Sequence, residues 1–75
     1  MTVELVEIRK VAVFSWDTTI VQGDQASIEA EDEEKRVVKN DGQSNVFFPQ
    51  TFTGDVEITV KGSHDGEDSG TISVV

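Results

Sequence analysis

Polar and apolar residues alternate most regularly in the last third of the chain. Val56, Ile58 and Val60 are interleaved with Asp55, Glu57, Thr59 and Lys61. After a Gly- and Asp-rich stretch, Ile72 and Val74 are interleaved with Thr71 and Ser73. A period of two turns one set of side chains to a core and the other to water, as a half-buried strand requires. Two such runs joined by the polar residues 62–70 predict an antiparallel hairpin.

The same reading extends upstream. Residues 2–8 carry Val3 and Leu5 on one face and Val6 and Ile8 on the other. That change of phase predicts a bulge, or a strand passing from one sheet to another. Residues 11–16 are apolar on both faces, with Val11 and Val13 opposite Ala12, Phe14 and Trp16, which predicts a strand near the middle of a sheet. A turn at Asp17-Thr18, a short strand over 19–21 and a stop at Gln22-Gly23-Asp24 follow. Residues 25–31 alternate again, and after an all-polar run Val37 and Val38 resume a strand. Asn40-Asp41-Gly42 is a turn signal because these residues tolerate positive φ. An apolar run over 45–48 ends at Pro49.

A helix over residues 24–38 is the competing reading. Asp24 can cap it, and Ala, Glu, Lys and Arg are good helix formers. Its apolar stripe of Ala26, Ala30 and Val37 would be thin and would have to admit Glu33 or Glu34, so two strands joined by an acidic turn fit better. The expected architecture is all-β: a two-layer antiparallel β-sandwich of about seven short strands, forming a single domain over residues 1–75.

One stretch resembles a known family. Residues 48–63 run from Phe48-Pro49 through Gly54-Asp55-Val56-Glu57-Ile58-Thr59-Val60, and residues 70–74 read Gly70-Thr71-Ile72-Ser73-Val74. The end of an immunoglobulin-like domain of the bacterial and phage kind is similar, over roughly the final third of the chain. The resemblance implies an immunoglobulin-like sandwich. It also implies a role of the sort such phage-encoded domains have, decorating a capsid or extending a tail protein. Antibody-type domains carry two cysteines and a corner tyrosine. This chain has neither Cys nor Tyr, and Trp16 is its one candidate for the core tryptophan.

Charge narrows the partners. Fifteen Asp and Glu against six Lys and Arg give a formal net charge of -9 and a pI near 4.2. Such a surface repels phosphate backbones and anionic membranes, so nucleic acid and membrane partners are not expected. Met1-Thr2-Val3-Glu4-Leu5 lacks the basic start and apolar run of a secretion signal, so the expected location is a virion or the cytoplasm of the producing cell.

The candidate chemistry is sparse. Ser63-His64-Asp65 is a Ser-His-Asp string, but triad members converge from separate elements rather than from neighbouring positions. Carboxylates are plentiful, yet a glycosidase pair needs a cleft that a chain this short has little volume to build. No enzymatic activity and no cofactor are expected. Asp65, Glu67 and Asp68, and the acidic run 31–34, are the candidate calcium ligands, set against the simpler reading of solvated loops. Trp16, Phe47 and Phe48 are the candidate contact residues. By strand alternation one of Phe47 and Phe48 points away from the other.

The expected function is a non-catalytic structural or interaction module with a protein partner, such as a capsid or tail protein. Two alternatives compete with it. An acidic inhibitor that mimics nucleic acid would carry its acids along one face. A calcium- or carbohydrate-binding module would gather carboxylates or exposed aromatic rings.

Overall fold

Seven strands form two antiparallel sheets, as the alternation predicts. The structure is a computed structural model and describes residues 1–31 and 35–75. The strands are β1 (Thr2–Val6), β2 (Val11–Ser15), β3 (Gln25–Ala30), β4 (Arg36–Lys39), β5 (Gln43–Phe47), β6 (Gly54–Gly62) and β7 (Glu67–Val74). One sheet has the order β1-β2-β5 and the other β4-β3-β6-β7. The chain therefore changes layer between β2 and β3, between β4 and β5, and between β5 and β6. The helix considered for residues 24–38 does not form: β3 and β4 pair antiparallel, with Ala26 opposite Val38 and Ile28 opposite Arg36.

The inner faces make the core. Ala12, Phe14 and Val46 of the three-stranded sheet meet Ala26, Ile28, Val56, Ile58 and Val60 of the other. Ile58, Val56 and Val60 are wholly buried, and each such aliphatic side chain contributes about 1.5–3 kcal/mol. Val56, Ile58 and Val60 sit in the middle of the four-stranded sheet, which is why the period of two is cleanest there.

Two seams close the sandwich. At one, β1 lies beside β7. A Cβ on Gly70 would come within 2.8 Å of Val3 Cγ2, so the glycine lets the two layers approach. Beside it the Met1 ammonium meets Asp68 Oδ2 at 2.9 Å. At the other seam Arg36 of β4 reaches across to β5, donating to Ser44 Oγ at 2.9 Å and to the Asn45 carbonyl.

Several local expectations change. The phase shift after Leu5 is neither a bulge nor a crossing. The strand ends at Val6, and a 3-10 turn (Glu7–Arg9) leads to Lys10 in the left-handed region at φ 50°. That conformation is held from both sides: Lys10 Nζ donates to the Phe52 carbonyl (2.6 Å), and the Lys10 carbonyl accepts from Phe48 N–H (2.8 Å). Residues 19–21 are not a strand. Asp17 Oδ1 accepts from both the N–H and the hydroxyl of Thr19 (2.8 and 2.7 Å), and the Asp17 carbonyl accepts from Ile20 and Val21. This Asx turn buries Val21 without a ladder. The loop of the C-terminal hairpin is shorter than the glycines suggest, because Glu67, Asp68, Ser69 and Gly70 already belong to β7.

Candidate docking face

The outer face of the three-stranded sheet is built by register. Val6 lies opposite Val11, and Val11 opposite Phe47; one row away, Glu4 lies opposite Val13 and Val13 opposite Asn45. Alternation sets all of these against Ala12, Phe14 and Val46, which face the core. Val11 is only 6% exposed yet lies outside the core cluster, because its cross-strand neighbours Val6 and Phe47 flank it.

Phe47 is 59% exposed, Val13 45% and Val6 41%, and Ile8, in the turn just beyond Val6, is 90% exposed. Together these side chains expose roughly 400 Å², within the range of the largest apolar patch on a typical monomer, which is often functional. Glu4 is the only charge among the outward positions of the three strands.

The opposite face is more polar, although Val37 of β4 is 57% exposed on it. The outward positions of the four-stranded sheet include Glu29, Asp55, Glu57 and Glu67, with Lys61 and Lys39 among them. Glu29, Glu31, Glu57 and Thr59 line a shallow, open depression there. Its carboxylates are all solvent-exposed, so the cleft that paired-carboxylate hydrolysis needs is not formed at this place.

The other sequence candidates are placed as follows. Trp16 is buried, 7% exposed, against Phe14 at a ring-centroid distance of 5.9 Å, so it offers no contact surface. Its indole Nε1–H donates to Asn40 Oδ1 (2.8 Å), and Asn40 Nδ2 donates to the carbonyls of Val21 (2.8 Å) and Gly23 (2.9 Å). Phe48 is likewise buried and stacks on Phe52 at 5.4 Å. Of the three aromatic candidates, only Phe47 faces outward.

The calcium candidates do not converge. Asp65 Oδ1 accepts from Gly66 N–H at 2.8 Å. Asp68 spends one oxygen on the terminal ammonium and the other on Ser69 N–H, and Glu67 lies on the opposite side of β7 from Asp68. Among the described residues no three His, Cys, Asp or Glu side chains gather closely enough to hold a metal. Residues 32–34 of the other acidic run lie outside the described residues. Ser63 Oγ accepts from Gln25 N–H at 3.2 Å, so both neighbours of His64 are turned to backbone and not to its imidazole.

Two carboxyls titrate below their ordinary range. Asp17 does so through the Thr19 hydroxyl first and the Thr19 N–H second. Asp68 does so chiefly through its bond to the terminal ammonium. Both are structural turns or ties rather than a reactive pair.

Among the described residues no helix is long and apolar enough to cross a membrane. No family model, curated protein or solved structure matches the chain.

Proposed function

We propose that the chain is a non-catalytic interaction module, an immunoglobulin-like accessory domain that attaches to a larger protein assembly. The observation that carries this reading is the apolar outer face formed by Val6, Val11, Val13 and Phe47, in a chain that is otherwise strongly acidic. Val6 and Phe47 flank Val11, but much of Val6, Val13 and Phe47 stays in water, and burying that remainder against another protein would be favourable. The strand order supports the immunoglobulin-like part. The first two strands pair with the fifth, while the third pairs with the C-terminal hairpin in the other layer, as in sandwiches of that type. The phage-type resemblance suggests a virion surface as the setting.

A second reading keeps one specific support. Glu29, Asp55, Glu57 and Glu67 share one outer face, which is what an acidic inhibitor that occupies a basic site would present. A photo-crosslinking residue placed at position 47 or at position 57, in the cell that makes the chain, separates the two. Docking through the apolar face gives a single adduct of defined mass from position 47 and none from 57. An adduct from 57 alone overturns the first reading in favour of the second.

A further inference from the structure

The sandwich has four edge strands, and three of them are guarded. β4 is short and carries Arg36 and Lys39. β5 is capped by the Arg36 guanidinium on the Asn45 carbonyl. β1 is five residues long with Glu4 at its centre. Native sheets blunt their edges with such charges, short strands and covers. β7 is the exception: eight residues long, and from Ser69 to Val74 it has no charge and no proline.

The direction of its free backbone groups follows from the ladder. Gly62 N–H donates to the Gly66 carbonyl at 2.9 Å at the mouth of the hairpin. Bonded and non-bonded pairs alternate from there. Thr59–Ser69, Glu57–Thr71 and Asp55–Ser73 are then non-bonded pairs, so the N–H and C=O of Ser69, Thr71 and Ser73 point away from β6. An independent contact agrees: Ser69 N–H donates to Asp68 Oδ1 (2.9 Å) instead of to β6. Among the described residues, no backbone group pairs with these outward groups. Val3 and Met1 pack against Gly70 on the inward side of β7, leaving the edge direction open.

We propose that the β7 edge binds β7 of a second copy of this chain, antiparallel and centred on Thr71. In that register Thr71 pairs with its own symmetry mate and Ser69 with Ser73, giving about six backbone hydrogen bonds, two from each outward pair. Ile72 falls opposite the partner's Gly70, a large side chain beside a residue with none. Charge selects this direction. Antiparallel pairing keeps Glu67 and Asp68 of the two copies at opposite ends of the ladder, whereas parallel pairing would stack them on each other. Ser69 N–H leaves the Asp68 carboxylate to join the ladder. The two four-stranded sheets become continuous, and both three-stranded sheets lie on the same side. The two apolar patches then face one way, a geometry that allows bivalent attachment.

Sedimentation and amide exchange of the full chain, from micromolar to millimolar concentration, test this. The dimer should appear with rising concentration and tighten with added salt, because salt screens two bodies of charge -9 from each other. Thr71→Pro removes an N–H that no β6 group uses, which an edge strand tolerates, and should weaken the dimer at least tenfold. Thr71→Val keeps the N–H and should not. In the wild-type chain the amides of Ser69, Thr71 and Ser73 should gain protection as concentration rises, a readout that stands even where Thr71→Pro perturbs folding. A chain monomeric throughout with these amides unprotected overturns the proposal. So does a dimer abolished by Phe47→Ser but indifferent to Thr71→Pro.

Discussion

Asn40→Ala should be among the most damaging single changes outside the apolar core. Asn40 directly follows β4, yet its side chain works between the layers. Its Oδ1 accepts the Trp16 indole N–H at 2.8 Å, and its Nδ2 donates to the Val21 and Gly23 carbonyls at 2.8 and 2.9 Å. Alanine orphans the indole N–H of a residue that is 7% exposed and a carbonyl of the wholly buried Val21, while the exposed Gly23 carbonyl can turn to water. An orphaned buried polar group costs about 1–3 kcal/mol, so the loss should be about 2–4 kcal/mol. A domain of this size has roughly 4–11 kcal/mol in all.

Asn40→Asp keeps the acceptor for Trp16 but turns a carboxylate oxygen onto two carbonyls, and should be at least as damaging at pH 7. Trp16 is the only tryptophan, so its fluorescence reports urea unfolding directly in the Asn40 variants. Circular dichroism serves Trp16→Phe. The double-mutant cycle should show a coupling of about 1 kcal/mol or more. An Asn40→Ala protein within about 0.5 kcal/mol of wild type would refute the clamp.

The loops and the acidic limb give the remaining expectations. Gly66→Ala should destabilise by about 2 kcal/mol or more, because φ is +80° and a Cβ there would collide with the Ile20 carbonyl. Gly54→Ala, with φ +138° and open space around it, should cost only the backbone strain of about 1–3 kcal/mol; equal losses in urea denaturation would count against the close approach of residues 20 and 66. On acidification, Asp17 and Asp68 have folded-state pKa values below their unfolded ones. The stability they contribute is present above the ordinary carboxylate range and is lost as pH falls from that range through their lowered folded-state values. Relief of acid repulsion near the pI of 4.2 opposes this, so the readout is a difference: Asp17→Ala should show a shallower loss of stability below about pH 4 than wild type, and an identical slope would contradict the Thr19 contacts.

Where one side of a strand is buried and the other wet, the sequence is explicit. β3 and β6 show this, since Ala26, Ile28, Ala30, Val56, Ile58 and Val60 all face inward. The signal blurs where both sides are apolar. The opposite phase of Val6 and Ile8 reads as a bulge, but Val6 belongs to an outer sheet face that is itself apolar and Ile8 to the turn beyond the strand. Alternation alone separates Phe47 from Phe48. Which of them faces out depends on the pairing of β5 with β2, a contact between segments far apart in sequence. The same holds for Asn40. Its backbone turn is readable from Asn40-Asp41-Gly42, whereas its hold on Trp16 and Val21 exists only once the chain has changed layer. Buried Val21 imitates a strand residue because an Asx turn, stabilised by Asp17 and Thr19, delivers it to the core.

The most direct test is Phe47→Ser, with the urea midpoint of the isolated chain and its co-sedimentation with large assemblies from the producing cell measured side by side. Docking through the outer face of the β1-β2-β5 sheet predicts a chain that stays folded, less stable by about 1–2 kcal/mol because Phe47 covers Val11, and loss of attachment. A folded variant whose attachment persists would contradict it, because Phe47 would then serve only to cover Val11 and not to hold a partner.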